Sequence, residues 1–255
     1  MKKLLFVFVL TALCLNLFAK EAKKEEFKPL AFTAKLDMKT LKLEDSSVDG
    51  MLNNFDFNTT FSFDTKNQMI FETNSAFAFA KNRRGAGTFF RSFGVYYNRL
   101  NLLDLPYFTM SGKIGAKYYT QSITRNAIGN GEINASVTLE KSIEALDLRL
   151  VVGYDKMLEN DYSIISSVKT LSLKGKYNLP EQFNVASQFE FKSTKVKNEE
   201  SLNILILEPS VGYTFENYEF KLYMESALLT SVGEKTFNED FFEDAAFGLK
   251  ITANF

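Results

Sequence analysis

The sequence predicts an all-β protein whose strands close into an antiparallel up-and-down barrel. Three observations carry this: a composition rich in strand formers, period-two alternation of apolar and polar side chains, and an even number of alternating runs. The chain has 255 residues, 45% of them hydrophobic, with 26 Phe, 11 Tyr and only 4 Pro. Aromatic rings fit a pleated, half-buried surface, so this composition favours strands. It is also too apolar for a disordered chain. There is no His, which removes Ser-His and Cys-His nucleophiles, His-ligated zinc and His-ligated haem. A non-enzymatic protein without cofactor or metal is expected. Lys and Arg number 30 against 31 Asp and Glu, so no global field points to nucleic acid, which is not an expected partner.

The first element is residues 1–19, read as a signal peptide that is removed. Met1, Lys2 and Lys3 supply a positive start, and Leu4 to Leu13 form an apolar run too short to span a membrane as a helix. Cleavage after Ala19 fits best, and it leaves a mildly acidic chain. Cys14 is the only cysteine, but Leu13 stands where lipid attachment requires a small residue, so an ordinary apolar position is the better reading. The mature chain then has no thiol and no disulfide. Residues 20–29 form a short charged leader, and residues 30–255 a single barrel domain.

Twelve alternating runs follow, at about 30–43, 51–64, 69–80, 88–99, 107–121, 132–142, 145–157, 163–177, 183–194, 201–216, 218–231 and 242–255. In the second, Phe55, Phe57, Phe61 and Phe63 share one face, while Asn54, Asp56, Asn58 and Ser62 take the other. In the sixth, Ile133, Ala135, Val137 and Leu139 alternate with Glu132, Asn134, Ser136, Thr138 and Glu140. The last sets Phe247, Leu249, Ile251, Ala253 and Phe255 against Lys250, Thr252 and Asn254. Many runs approach the roughly 9–11 residues a tilted strand needs to cross a bilayer. Tight links follow the even-numbered runs, as at Thr65 to Gln68, at Ile143 and Glu144, and at Asn217; longer links follow many odd-numbered ones. Two positions strain the pattern. Lys169 falls on the apolar face of the eighth run, which predicts a later strand start or a bulge. Pro209 interrupts the tenth, and a bulge is expected there too.

Alternation alone leaves open which face is buried. A signal peptide places the chain outside the cytoplasm, and aromatic residues gather on the apolar face beside the tight turns, among them Phe63, Tyr97, Phe108, Tyr177, Phe183, Tyr213, Phe215, Tyr218 and Phe220. Such rings suit the boundary between hydrocarbon and headgroups. The final strand ends in Phe255. Together these features resemble bacterial outer-membrane β-barrel proteins of the porin-like class, although no family motif is present. The resemblance implies a transmembrane barrel of about 12 strands in the bacterial outer membrane, with short periplasmic turns and longer extracellular loops. It also implies Phe255 as the terminal aromatic read by the outer-membrane assembly machinery.

With the apolar side toward lipid, the polar side lines the lumen. The pore-lining candidates are Lys113, Lys117, Glu140, Asp147, Arg149, Lys174, Glu190, Lys192, Glu225 and Lys250. Mixed signs either flank a water-filled path or pair across a narrow one. Twelve strands leave more room than eight, which favours an aqueous path with at most weak cation selectivity. Leu202, Ile204 and Ile206 make the lumen side of the tenth run apolar, which predicts cover by a folded-in loop. Glu239, Asp240, Glu243 and Asp244 crowd the last outer loop without the spacing of a calcium loop. Lys81, Arg83 and Arg84 in an earlier loop are candidates for lipopolysaccharide phosphates.

The leading functional expectation is a small passive channel for hydrophilic solutes, with outer-membrane lipid, lipopolysaccharide and the assembly machinery as partners. One alternative is a structural or adhesive outer-membrane barrel whose lumen is filled by charge pairs. The second is a soluble exported barrel or sandwich that binds an apolar ligand, with the two faces exchanged.

Overall fold

The computed structural model describes residues 30–41, 50–80, 87–105, 108–121, 125, 128–232, 234–237 and 245–255. The predicted signal peptide and leader, and the loops holding Lys81, Arg83, Arg84 and Glu239 to Asp244, lie outside them. Twelve long strands form the wall: β1 Leu30–Leu41, β2 Gly50–Ser62, β3 Asn67–Ala80, β4 Gly87–Leu105, β5 Phe108–Tyr119, β6 Gly131–Ile143, β7 Leu146–Leu158, β8 Ile165–Asn178, β9 Phe183–Val196, β10 Leu202–Phe215, β11 Tyr218–Val232 and, after a short β12 at Glu234–Phe237, β13 Ala246–Asn254. Each pairs antiparallel with its sequence neighbour, β11 with β13, and β13 with β1, so the sheet closes. Closure gives every wall strand two hydrogen-bonding neighbours and leaves no edge, the condition for backbone in hydrocarbon.

The faces follow the alternation. Val152, Leu173, Leu222 and Phe247 are at least half exposed, and among the described residues no large side chain is fully buried. The wall therefore lacks the central apolar core that a soluble sandwich requires, and the exchanged-face reading is set aside. The opposite face is interior on geometric grounds. Lys250 on β13 meets Glu208 on β10 with β11 between them, and Lys176 on β8 reaches Glu219 on β11 past two intervening strands. Contacts that skip strands are possible only on the concave side of a closed sheet.

The short turns are built by local chemistry. At residues 63–66, the Asp64 carboxylate accepts from the backbone N–H of Lys66 (2.7 Å) and of Asn67 (2.8 Å), an Asx-type closure. The two-residue links after β6 and β10 place Glu144 and Glu216 at positive φ (51° in both), the twist that tight hairpins need. Aromatic residues cluster at this end: Phe183 lies 4.9 Å from Tyr213, and Tyr218 meets the edge of Phe255 at 6.1 Å. Phe255 also exchanges backbone bonds with Phe32, at 2.9 and 3.0 Å, joining the last strand to the first.

Three details differ from the sequence expectation. β4 runs on to Leu105, past the expected end near residue 99, because an irregularity between Arg99 and Leu103 absorbs the extra residues, with Asn101 at φ 50°. β12 folds back on the top of β11 where only loop was expected. The bulge expected at Pro209 lies elsewhere: β9 pairs straight through Pro209 opposite Ser187, and the register against β11 shifts at Leu205 and Ile206. A missing N–H leaves a gap in one ladder without displacing the strand. In the eighth run the expected later start and bulge are both present, since β8 begins at Ile165 and its register shifts between Ile165 and Ser167, while Lys169 stays exposed on the outer face, paired with Tyr154 and Ser193.

Candidate functional site: the charged inner wall

The inner wall carries two polar clusters built on facing arcs. The first is on β10, β11, β13 and β1. Glu208 accepts from Lys221 and from Lys250, the latter at 3.0 Å, and Lys250 also lies 3.7 Å from Asp37. Tyr223 donates to Asp37 at 2.6 Å, and its ring lies under the Lys250 ammonium at 4.1 Å. Gly248 makes this possible, since a Cβ there would sit 2.3 Å from the Tyr223 ring. Above them Lys39 pairs with Glu225 at 2.5 Å.

The second cluster is on β3 to β6. Lys117 bridges Glu72 (3.0 Å) and Glu132 (3.7 Å), and Tyr119 donates to Glu132 at 2.5 Å. Tyr96 lies flat against the wall, 3% exposed, over Gly94 and Gly115. The Lys113 ammonium stands 4.3 Å above that ring. The negative face of the ring attracts the cation.

All ten sequence-derived candidates lie on strands with this inward parity, and most have specific partners. Arg149 and Glu140 pair at 3.4 Å while both stay about half exposed. Lys192 pairs with Glu190, which also accepts from Gln188 at 3.2 Å. Asp147 accepts from Ser142 (2.6 Å) and Asn178 (2.8 Å) near the short-turn end, where it closes a hairpin. Lys174 sits opposite Arg149 and Gln188. Leu202, Ile204 and Ile206 share the inner parity of Glu208 and are half-buried. Several inner groups escaped the sequence reading. Lys176, two residues beyond Lys174, reaches Glu219 at 3.5 Å, and parity alone points to it. Arg91 donates to Asn54 at 3.1 Å from beside the β3–β4 register shift, a bulge that alternation does not reveal. Tyr96 and Tyr223 lie inward against glycines, Gly94 and Gly115 for the first and Gly248 for the second, and Tyr119 lies inward on Glu132; cross-strand neighbours of this kind are not visible in one strand's alternation.

No family model matches the chain, and no curated protein matches its sequence. Solved structures do match its fold. The COG4313 outer membrane channel from Pseudomonas putida F1 superposes with a TM-score of 0.65 over 92% of this chain and 100% of that one, at 9% identity. The NanC porin superposes with a TM-score of 0.54 over 89% of this chain and 98% of that one, at 10% identity. The fold is that of a porin-like outer-membrane β-barrel: a closed antiparallel wall of twelve strands, apolar outside and ionic within.

Proposed function

We propose that the barrel is a small passive channel for hydrophilic solutes in the bacterial outer membrane, without enzymatic activity. The observation that carries this reading is the concave wall itself: basic and acidic side chains alternate along it, anchored to strands rather than loops. Fixed charges of both signs hydrate a lumen and repel neither ion strongly, so conductance is expected to be small and only weakly selective. The outer belt of Phe, Leu and Val matches hydrocarbon, and the aromatic ring beside the short turns matches the periplasmic headgroup region.

Refolded protein in planar bilayers tests this. Discrete, stable steps with a reversal potential near zero in a salt gradient are expected, and absence of any stable step overturns the proposal. The Lys176–Glu219 bridge across three strand spacings favours a second reading, a structural or adhesive barrel whose lumen the charge pairs fill. The double variant K176Q/E219Q separates the two. A channel gives steps in both proteins, larger in the variant; a filled barrel is silent until the bridge is removed.

A further inference from the structure

We propose that the outer wall of β7 to β9, near its extracellular end, binds the phosphate groups of an outer-leaflet glycolipid of the lipid A type through Lys169 and Lys195. The inference rests on the reading that the barrel spans the outer membrane, and it concerns the opposite face of the wall from the channel.

Lys156, Lys169 and Lys195 all project from the membrane-facing side. Register places them together: Ser167 on β8 is flanked by Lys156 on β7 and Lys195 on β9, and Lys169 lies two residues below Ser167, between Tyr154 and Ser193. The outer face of these strands thus presents three ammonium groups around the small side chains of Ser167 and Ser193. Ser167 is 7% exposed, the floor of a notch, while Lys156, Lys169 and Lys195 stand exposed around it.

Their charges are not equally available. Lys156 pairs with Glu159 at 3.0 Å, and the same carboxylate takes Lys197 at 3.1 Å. Lys169 and Lys195 have no ion pair among the described residues. Two cations on a lipid-facing wall without a protein carboxylate call for an anion from the membrane, and a phosphate accepts hydrogen bonds from several ammonium and hydroxyl donors at once.

Depth selects the leaflet. Lys169 stands eight residues above Tyr177 on β8, and at about 3.4 Å per residue and a tilt of about 40° that is about 20 Å up the wall. The apolar band is about 25 Å tall. The Lys169 stem can run upward along the wall and set its ammonium at the outer headgroups. Lys195 is higher still. The phosphates of a glycolipid whose acyl chains lie against Leu171, Phe191 and Leu173 meet both.

The test uses the full barrel in detergent, with native mass spectrometry counting retained lipid. The probes are bis-phosphorylated lipid A, its dephosphorylated form and phosphatidylglycerol. Wild type is expected to hold the bis-phosphorylated form and to release the other two. K169Q/K195Q should hold it about tenfold more weakly, whereas the inward K174Q should match wild type. Heat-dependent migration on a gel verifies that each variant is folded, and K195Q alone serves if the double variant is not. Equal retention by folded wild type and K169Q/K195Q, or equal binding of phosphatidylglycerol, overturns the proposal. Conductance of the wild type reports separately on the channel: lipid discrimination without conductance defeats the channel reading and leaves this one standing.

Discussion

Glu208 is the residue on which the first inner cluster turns. It serves two lysines, Lys221 and Lys250, with its side chain only 11% exposed. E208Q leaves two ammonium groups facing a neutral amide. Removing one partner of a poorly hydrated pair costs more than the pair contributed, so a loss of about 1–3 kcal/mol is expected in urea-dependent folding into vesicles. The same change makes the inner wall more basic, and the reversal potential in a salt gradient should move toward anion preference. Outside the wall, Glu159 in the loop after β7 is held down to about 2 by hydrogen bonds from Lys156 and then Lys197. Its folded pKa lies below the unfolded value, so its contribution is complete above about 4.5 and is lost as pH falls toward 2. The Ser163 amide, in the adjoining turn that bonds to Asn160 at 3.2 Å, should therefore titrate by NMR with a midpoint near the lower value. A midpoint near 4.5 removes the coupling.

Among elements, β4 and β5 show how glycine shapes the wall. A Cβ at Gly115 would meet the Val95 carbonyl oxygen at 2.3 Å and the Tyr96 ring at 2.4 Å, whereas one at Gly153 would find Thr170 at an ordinary 3.7 Å. G115A must push Tyr96 into the lumen or the strands apart, at about 1–3 kcal/mol; G153A is expected to be nearly silent. Urea midpoints compare them, and equal midpoints would show that Tyr96 does not need the glycine bed. The alternating strands themselves were readable to within a few residues, because period two needs only neighbouring side chains. The exact places of the bulges were not. The register shifts fall between Arg99 and Leu103 and between Leu205 and Ile206, and because two paired strands set a shift jointly, one strand's own sequence does not place it.

For the whole molecule, the seam between β1 and β13 joins the first and last strands of the wall. Phe255 closes it with two backbone bonds to Phe32 and an edge contact to Tyr218. Removing Phe255 takes away all three, so the yield of folded barrel in vitro is expected to fall, with a cost of about 1–3 kcal/mol. Electrophoresis of unheated samples measures it. An unchanged yield would mean that the last strand pair forms before its terminal residue matters.

The amino-acid order alone determined that this chain makes strands, that they alternate between an oily and a hydrated face, and that ten particular charges lie on the hydrated one. Each of those depends on residues one or two positions apart. Tertiary structure decided the rest: pairing register rests Tyr223 over Gly248 and gathers Lys156, Lys169 and Lys195 around Ser167 on the outside, and ring closure lets Lys176 meet Glu219. Strands distant in sequence become neighbours only when the sheet bends round on itself with a fixed register, and that register is a property of all twelve wall strands together.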